Sequence, residues 1–505
     1  MNRSGINFKI EISKQATENI NMISNKVLAA IVFICFLIIV SCNERSCKKI
    51  PEQTEWYLNH ESWKDADETH TIILKALDKG PVIKNNPVID YMGSADPSTQ
   101  VVGDKLYIYP SHDAFKNDYQ IGFAMFDYHI YSTTNLLDYK DHGIALRGID
   151  IRWKNYQGAS HCYDPSAITV GDSTYFYFFL AQNAKRKLAA SMGVAVAANP
   201  AGPFRDARGT PLINYTDMPD HQAGSPQAFF DFEGNPWLIW GAWGRTGIRR
   251  LKKNMIEFED SSEYIELTNY LHHFKEAPWL YKYNGKYYLT YTARDNGEEI
   301  GIRYAIAAKV QGPYIDIGVI MHPHNLRTHH HSIVNFHDQW YIFYHIECNG
   351  NDYYRLTCAE YLFHNDDGTI ALVRPTQAGI GRKNALYPIE GEKFFKKHRA
   401  EIHDHPENKE KKVLCIVDGG WALYNGVVFN RDIDSCKIIL SKASKGRLWM
   451  EVDGKTVAES ESDGSVKKLI VPVNIRKGEK EVRLLWKSSE GSIVIDKFVF
   501  ESNKK

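Results

Sequence analysis

The chain has 505 residues, with 61 Lys+Arg against 61 Asp+Glu, and 43% of it is apolar. That is enough for a sizeable core and too long for one ordinary domain, so two domains are expected. Balanced charge argues against a general nucleic-acid binder, which needs a basic face, and ordinary apolar content argues against a disordered, charge-driven chain.

Residues 27–40 (VLAAIVFICFLIIV) carry no charge and follow Lys26. Fourteen residues fall short of the about 20 needed to span a bilayer as a helix and suit the apolar region of a signal peptide. The run ends in Ile39-Val40-Ser41-Cys42, which resembles a bacterial lipobox. The expectation is a lipoprotein signal over 1–42, export to the cell envelope and a membrane anchor at the lipidated Cys42, with an uncleaved N-terminal anchor as the alternative. A start assigned upstream of Met22 would explain the polar residues 1–21.

After a polar tether over 43–85, one pattern recurs five times. The copies are ADPSTQVVGDKLYIYPSHD (95–113), YDPSAITVGDSTYFYFF (163–179), GSPQAFFDFEGNPWLIWGAW (224–243), EAPWLYKYNGKYYLTYTAR (276–294) and HHSIVNFHDQWYIFYH (330–345). Each reads as a β-hairpin, two apolar or alternating strands joined by GD, EG, NG or HD turn chemistry. Their starts, Asp96, Asp164, Ser225, Glu276 and His330, are spaced by 68, 61, 51 and 54 residues. Multi-stranded repeats of this length are the mark of a β-propeller, here with five blades over 86–395, the segments between copies supplying outer strands. Residues 398–505 read as short alternating strands with turns at DGG, DGK, SDGS and SEGS, which predicts a separate β-sandwich of jelly-roll type. The fold class is all-β.

Of eight Cys, Cys35 and Cys42 belong to the N-terminal segment, and the rest form neither a CxxC nor a tight Cys/His cluster. The pairs Cys348/Cys358 and Cys415/Cys436 are either disulfides or free buried thiols.

In a propeller the innermost strand of each blade begins at the central channel, so the five blade starts should converge. Carboxyl groups facing one another in a pocket are what glycoside hydrolysis requires: one activates water, and the other, kept protonated by burial and like charge, protonates the leaving oxygen. For any single residue the competing reading is turn chemistry, since Asp-Pro commonly starts a turn. Trp240, Trp243 and Trp279 fall near inner blade ends, where they either line a sugar subsite or pack between blades; Trp240 is taken as a substrate contact.

The repeats resemble glycoside hydrolase family 43, five-bladed propellers acting on arabinose-, xylose- and galactose-containing glycans, over about residues 86–390. NPVIDYMGSADPSTQVVGDKLYIYPSHD is similar to the family's first blade, which implies that Asp96 is the general base. FKEAPWLYKYNGKYYLTY is similar to its Glu-Ala-Pro or Glu-Gly-Pro blade, which implies that Glu276 is the general acid. HHSIV resembles the last-blade His motif and places His330 near the channel, against substrate, water or a cation. The resemblance departs at Ser225, where the family carries a third carboxylate that orients the acid; Asp164, in a DPS context like that of Asp96, is the candidate replacement. Family 117, related propellers that cleave anhydro-galactose from agar oligosaccharides and can use a His as acid, resembles the chain through His329-His330-His331.

The C-terminal part resembles a family 6 carbohydrate-binding module. GGWALYNGVVF (419–429) and IVIDKFVFE (493–501) are similar to two of its strands, which implies a sugar-stacking role for Tyr424. Glu401 and Asp496 fall where such modules hold structural Ca²⁺, and no organic cofactor is implied. Val494 and Lys497 depart from the module's binding residues, so a purely structural sandwich is the alternative. Taken together, the resemblances imply an exported, inverting, exo-acting glycoside hydrolase that releases arabinofuranose, xylose or galactose-type sugars from a polysaccharide fragment. The alternatives are an anhydro-galactose-releasing agar-oligosaccharide hydrolase and a glycan-binding propeller without catalysis.

Overall fold

A computed structural model describes residues 83–502, apart from 115–122, 154–160, 185–186, 215–223, 296–297, 324–327 and 349–350. The expected signal, Cys42 and the tether as far as residue 82 lie outside these residues. Blade 1 is the sheet β1(Ala95–Val102), β2(Lys105–Ser111), β3(Asp127–Thr133) and β4(Lys140–Arg147). Blade 2 is β5(His161–Val170), β6(Ser173–Ala184), β7(Lys187–Ala197) and β8(Arg205–Asp206). Blade 3 is β9(Gln227–Phe230), β10(Pro236–Ala242), β11(Arg245–Arg250) and β12(Ile265–Glu266). Blade 4 is β13(Phe274–Tyr283), β14(Lys286–Asp295), β15(Glu298–Ala307) and β16(Ile315–Met321). Blade 5 has three strands, β17(His331–Phe336), β18(Gln339–Cys348) and β19(Asn351–Leu362).

Each sequence copy is the inner hairpin of one blade. The tight turns follow local chemistry: Asn284-Gly285 (φ 46° and 70°) and His337-Asp338 (φ 54° and 62°) carry the two positive φ values of the turn whose twist matches paired strands. Strand periodicity then decides which interface a side chain fills. On β2, Tyr107 and Tyr109 pack against Phe176 and Phe178 of blade 2, whereas Leu106 and Ile108 pack against Tyr341 and Phe343 of blade 5. Both faces of these strands are buried, hence their nearly continuous apolar runs. Trp240 obeys the same parity: with Leu238 it enters the cluster between blades 2 and 3, 5.0 Å from the Tyr264 ring and 5.7 Å from that of Phe258. It is 2% exposed, so the sugar contact expected of it is not available.

The free edge of β19 in blade 5 is met by the irregular segment that precedes β1. Val88 donates its N–H to Thr357 O (2.8 Å) and Ser94 its N–H to Arg355 O (2.8 Å), so residues 86–94 run along β19 and lead directly into β1. First and last blades are thereby joined by backbone hydrogen bonds. Buried Asn86 locks the seam: its side chain accepts from Ala359 N–H (2.8 Å) and donates to Ala359 O (3.1 Å), Glu360 Oε1 (3.0 Å) and Thr376 O (2.9 Å).

The C-terminal part is one sandwich-like sheet of ten strands: β20(Lys383–Asn384), β21(Ile389–Glu390), β22(Lys396–His405), β23(Asn408–Phe429), β24(Ile433–Ala443), β25(Lys445–Val452), β26(Lys455–Asp463), β27(Lys468–Ile475), β28(Gly478–Lys487) and β29(Ile493–Glu501). It begins with β20, earlier than the expected boundary near 398, because 383–384 and 389–390 pair with β23 and β29. Tyr424 lies in its core, 0% exposed, with its hydroxyl donating to Gly391 O (2.7 Å) and its ring edge-on to Phe498. The sugar-stacking role expected for it is therefore overturned: on β23 its parity points inward. Cys415 and Cys436 are free thiols. Cys415 and Cys436 flank β29 from opposite sides, opposite Val494 and Phe500, too far apart for a disulfide.

Replacing Asn86 by Ala should leave several buried seam groups unpaired, at about 1–3 kcal/mol each. A thermal or denaturant midpoint should fall well below wild type; an unchanged midpoint would mean that this seam does not carry ring closure.

Candidate active site

The blade starts share an unusual backbone. Asp96, Asp164, Ser225 and Ala277 all precede a proline and all have positive φ (49°, 43°, 49° and 56°). In blades 1, 2 and 4 the ladder slips across this X-Pro pair, as it must, because proline has no N–H to give. The slip turns the residue before proline inward. Asp96, Asp164, Ser225, Ala277 and His330 line one central pocket with Trp279 and His331, a space of about 280 Å³ including its mouth.

Glu276 is thus not the equivalent of Asp96; Ala277 is. Glu276 sits one residue earlier, paired with Thr292, as Ala95 is paired with Ser111. Its carboxylate lies 2.8 Å from Lys275 Nζ and close enough to Asp164 to act on it electrostatically. The adjacent turn presents Trp243, 67% exposed at φ 56°, and Gly244 N–H closes onto Lys275 O (3.0 Å). The exposed blade-3 indole beside Glu276 is therefore Trp243, and the buried one Trp240.

Asp96 is 4% exposed and heavily held. Arg355 donates Nη1–H to Oδ1 (2.8 Å) and Nη2–H to Oδ2 (3.3 Å), and uses Nε and Nη2 to grip both oxygens of Asp113 (2.9 Å each). Asp96 N–H donates to His345 Nδ1 (3.0 Å), while His345 Nε2 lies 2.9 Å from Thr328 O and can only donate there. That fixes the His345 tautomer as Nε2–H. Burial works against the charge on Asp96, but Arg355 first, then His330 and His345, hold its carboxyl well below the usual range.

Asp164 goes the other way. Burial first, with Asp96 and Glu276 adding to it against His330 and Arg355, pushes its carboxyl up to about 7. His330 Nδ1 stands between the two carboxylates, 3.7 Å from Asp96 Oδ1 and 3.8 Å from Asp164 Oδ1. Ser225 Oγ donates to Asp164 Oδ2 (3.2 Å), so the blade-2 carboxylate reaches the blade-3 start. Asp96, Asp164 and His330 also place one donor atom each within 4.8 Å, a set that could hold a cation.

Glu401 and Asp496 gather no such set. Glu401 is 72% exposed in its side chain and paired with Lys397 (3.4 Å), and Asp496 lies 3.7 Å from Lys497 Nζ. Neither belongs to a group of three His, Cys, Asp or Glu side chains with donor atoms within 4.8 Å among the described residues. The residues that sequence reasoning missed are Arg355, Asp113 and His345. Asp113 ends the first repeat, but Arg355 is 259 positions from Asp96 and carries no local signal.

Carboxylates from successive blades converging on a pocket at the axis of a five-bladed propeller are the arrangement of a glycoside hydrolase. The chain belongs to glycosyl hydrolases family 43, whose model matches residues 84–370. It is 31% identical to a xylosidase/arabinosidase of Bacteroides ovatus over 56% of this chain and 95% of the relative. It is 29% identical to xylosidase/arabinosidase 43A of Humicola insolens, over 57% and 99%. A family 43 enzyme of Xanthomonas citri solved with xylotriose is similar at a TM-score of 0.51 and 26% identity, over 62% of this chain and 97% of that one. An arabinoxylan arabinofuranohydrolase of Bacillus subtilis shares the fold across 83% of this chain and 98% of its own, at a TM-score of 0.51 and 20% identity.

The raised carboxyl of Asp164 has a stability consequence. A carboxyl raised by folding stabilises the chain fully below the ordinary carboxylate range and loses that contribution as pH climbs through about 7. Asp164→Asn should therefore melt further above wild type at pH 8 than at pH 5. A difference that stays constant or shrinks with rising pH would show that Asp164 is not the titrating group.

Proposed function

We propose that the chain is an inverting, exo-acting hydrolase that removes a terminal xylose or arabinofuranose from a xylan-type oligosaccharide. The observation that carries this reading is the split between two neighbouring carboxylates: Asp96 pinned in its charged form by Arg355, and Asp164 raised to about 7 beside Glu276. A base must be ionised before it can take a proton, and an acid must hold one. Asp96 suits the first role and directs a water at the anomeric carbon. Glu276 is the group that protonates the leaving oxygen, and the raised Asp164, paired with it electrostatically, keeps negative charge from accumulating beside it. The sugar itself is taken from the relatives, which are xylosidases/arabinosidases by name.

Either Glu276→Gln or Asp96→Asn should lower kcat about 10²–10⁴-fold on natural glycosides. A nitrophenyl xyloside or arabinofuranoside, whose leaving group needs little protonation, should recover much of the loss in Glu276→Gln and little in Asp96→Asn. Equal losses on both substrates would remove Glu276 from the acid role, and a first-released sugar of retained anomeric configuration by NMR would remove the inverting mechanism.

The Ser225–Asp164 contact supports Asp164 as the third carboxylate, reached from blade 2 where relatives of this architecture use blade 3. Asp164→Ala should lose activity by a factor within that same range, and adding Ser225→Asp to it should restore a large part. A double variant no better than Asp164→Ala would end the substitution argument.

A further inference from the structure

Blade 1 gathers a second cluster of ionisable groups away from the channel pocket. β2 and β3 pair as far as Ile108↔Tyr131 and no further along β2, where Pro110 has no N–H to continue the ladder. Carried on in the same antiparallel register, His112 falls opposite Asp127, with His129 two residues along β3 on the same face. The side chains meet there. His112 Nδ1 lies 2.7 Å from Asp127 Oδ1, and His129 Nε2 lies 3.9 Å from the same oxygen. The three residues are 2%, 1% and 5% exposed, and each offers a donor atom within 4.8 Å of the others.

Two imidazoles and one carboxylate are a borderline-soft donor set, matched to zinc and its first-row neighbours more than to calcium, which prefers six or more oxygens. With metal–ligand bonds of about 2.0–2.1 Å, adjacent corners of a tetrahedron stand about 3.3 Å apart. The two observed separations bracket that edge, and the third pair of donor atoms lies within 4.8 Å. The other ring nitrogen of His129, Nδ1, is 3.4 Å from Asp141 Oδ1. Donation from Nδ1–H to this carboxylate leaves the Nε2 lone pair facing Asp127, the arrangement by which an outer carboxylate orients a metal-binding histidine. Asp141 is itself fixed, accepting from Tyr91 Oη (3.0 Å) and from Gly143 N–H (2.7 Å).

We propose that His112, Asp127 and His129 form a buried site for one zinc-class divalent cation, with Asp141 as the positioning residue of His129. The ion would replace the His112–Asp127 hydrogen bond, His112 carrying its proton on Nε2, and a water would complete a four-coordinate shell. It would fasten β2 to β3 where their backbone ladder is interrupted. His112 adjoins Asp113, the anchor of Arg355, so an occupied site would brace the group that holds Asp96 without touching substrate. This site is independent of the channel set of Asp96, Asp164 and His330.

The purified full chain is stripped with chelator, reloaded with zinc chloride and passed through a desalting column, and its retained zinc is measured by plasma mass spectrometry. Wild type should retain one equivalent that His112→Gln/His129→Gln lacks and that Asp164→Asn/His330→Gln keeps. Asp141→Asn should retain the stoichiometry with affinity weakened about 10–100-fold. Equal zinc in wild type and the blade-1 double variant, including none in either, overturns the proposal, as does a loss confined to the channel variant. Should the blade-1 double variant fail to fold, cobalt in the Asp164→Asn/His330→Gln chain, which lacks the channel set, decides: strong visible absorption of a four-coordinate nitrogen/oxygen site supports it, and the pale spectrum of a six-coordinate ion overturns it.

Discussion

A ring of blades has to close, and in this protein closure and chemistry pass through one guanidinium. Arg355, on the last blade, grips Asp113 and Asp96, both on the first, with hydrogen bonds of 2.8–3.3 Å. A buried charge of this kind is tolerable only when fully paired, and removal of one partner strands the others in a medium that cannot solvate them. The backbone seam of residues 86–94 along β19 brings Arg355 to its partners, and the seam in turn gains from their attraction. The charge state of Asp96 is thus a by-product of how the propeller is fastened.

From that fixed charge the rest of the pocket follows. With Asp96 held as an anion, Asp164 meets a neighbour of like sign in a poorly solvated site, and one of the two must resist ionisation. The X-Pro slip at the blade starts makes the encounter possible, because it aims the residue before proline at the axis in blade after blade. Blade 4 uses the same slip with Ala277 and keeps its carboxylate, Glu276, one residue earlier, next to Lys275. Asp96 and Glu276 are therefore presented by different backbone positions, which gives them different surroundings from the same repeat.

The C-terminal sheet follows the same rule of parity, to a different end. Its long strand β23 turns Tyr424 into the core and Trp421 outward, where the Arg483 guanidinium lies 5.6 Å from the ring centre. Similarity to a module's strand fixed which residues alternate. It could not fix which of the two faces is covered, and the covered face is the one on which Tyr424 and Phe498 meet.

Local physics was enough for much of this protein. Alternating aromatic runs, turns such as Asn284-Gly285 and five copies at similar spacing determine hairpins, and hairpins buried on both faces with repeats of that length determine a propeller. The same copies placed Asp96, Asp164 and His330 together, because equivalent starts converge by symmetry. Tertiary structure alone decided what depends on partners distant in sequence. Arg355 reaches Asp96 across 259 positions, Ser225 meets Asp164 across 61, and neither pairing leaves a mark on its own segment. It also decided Trp240 against Trp243, since the first lies on β10 in the interface between blades and the second in the turn just past it, on the open rim. A sequence records the period of a strand; which side of that strand faces solvent is set by what packs against it.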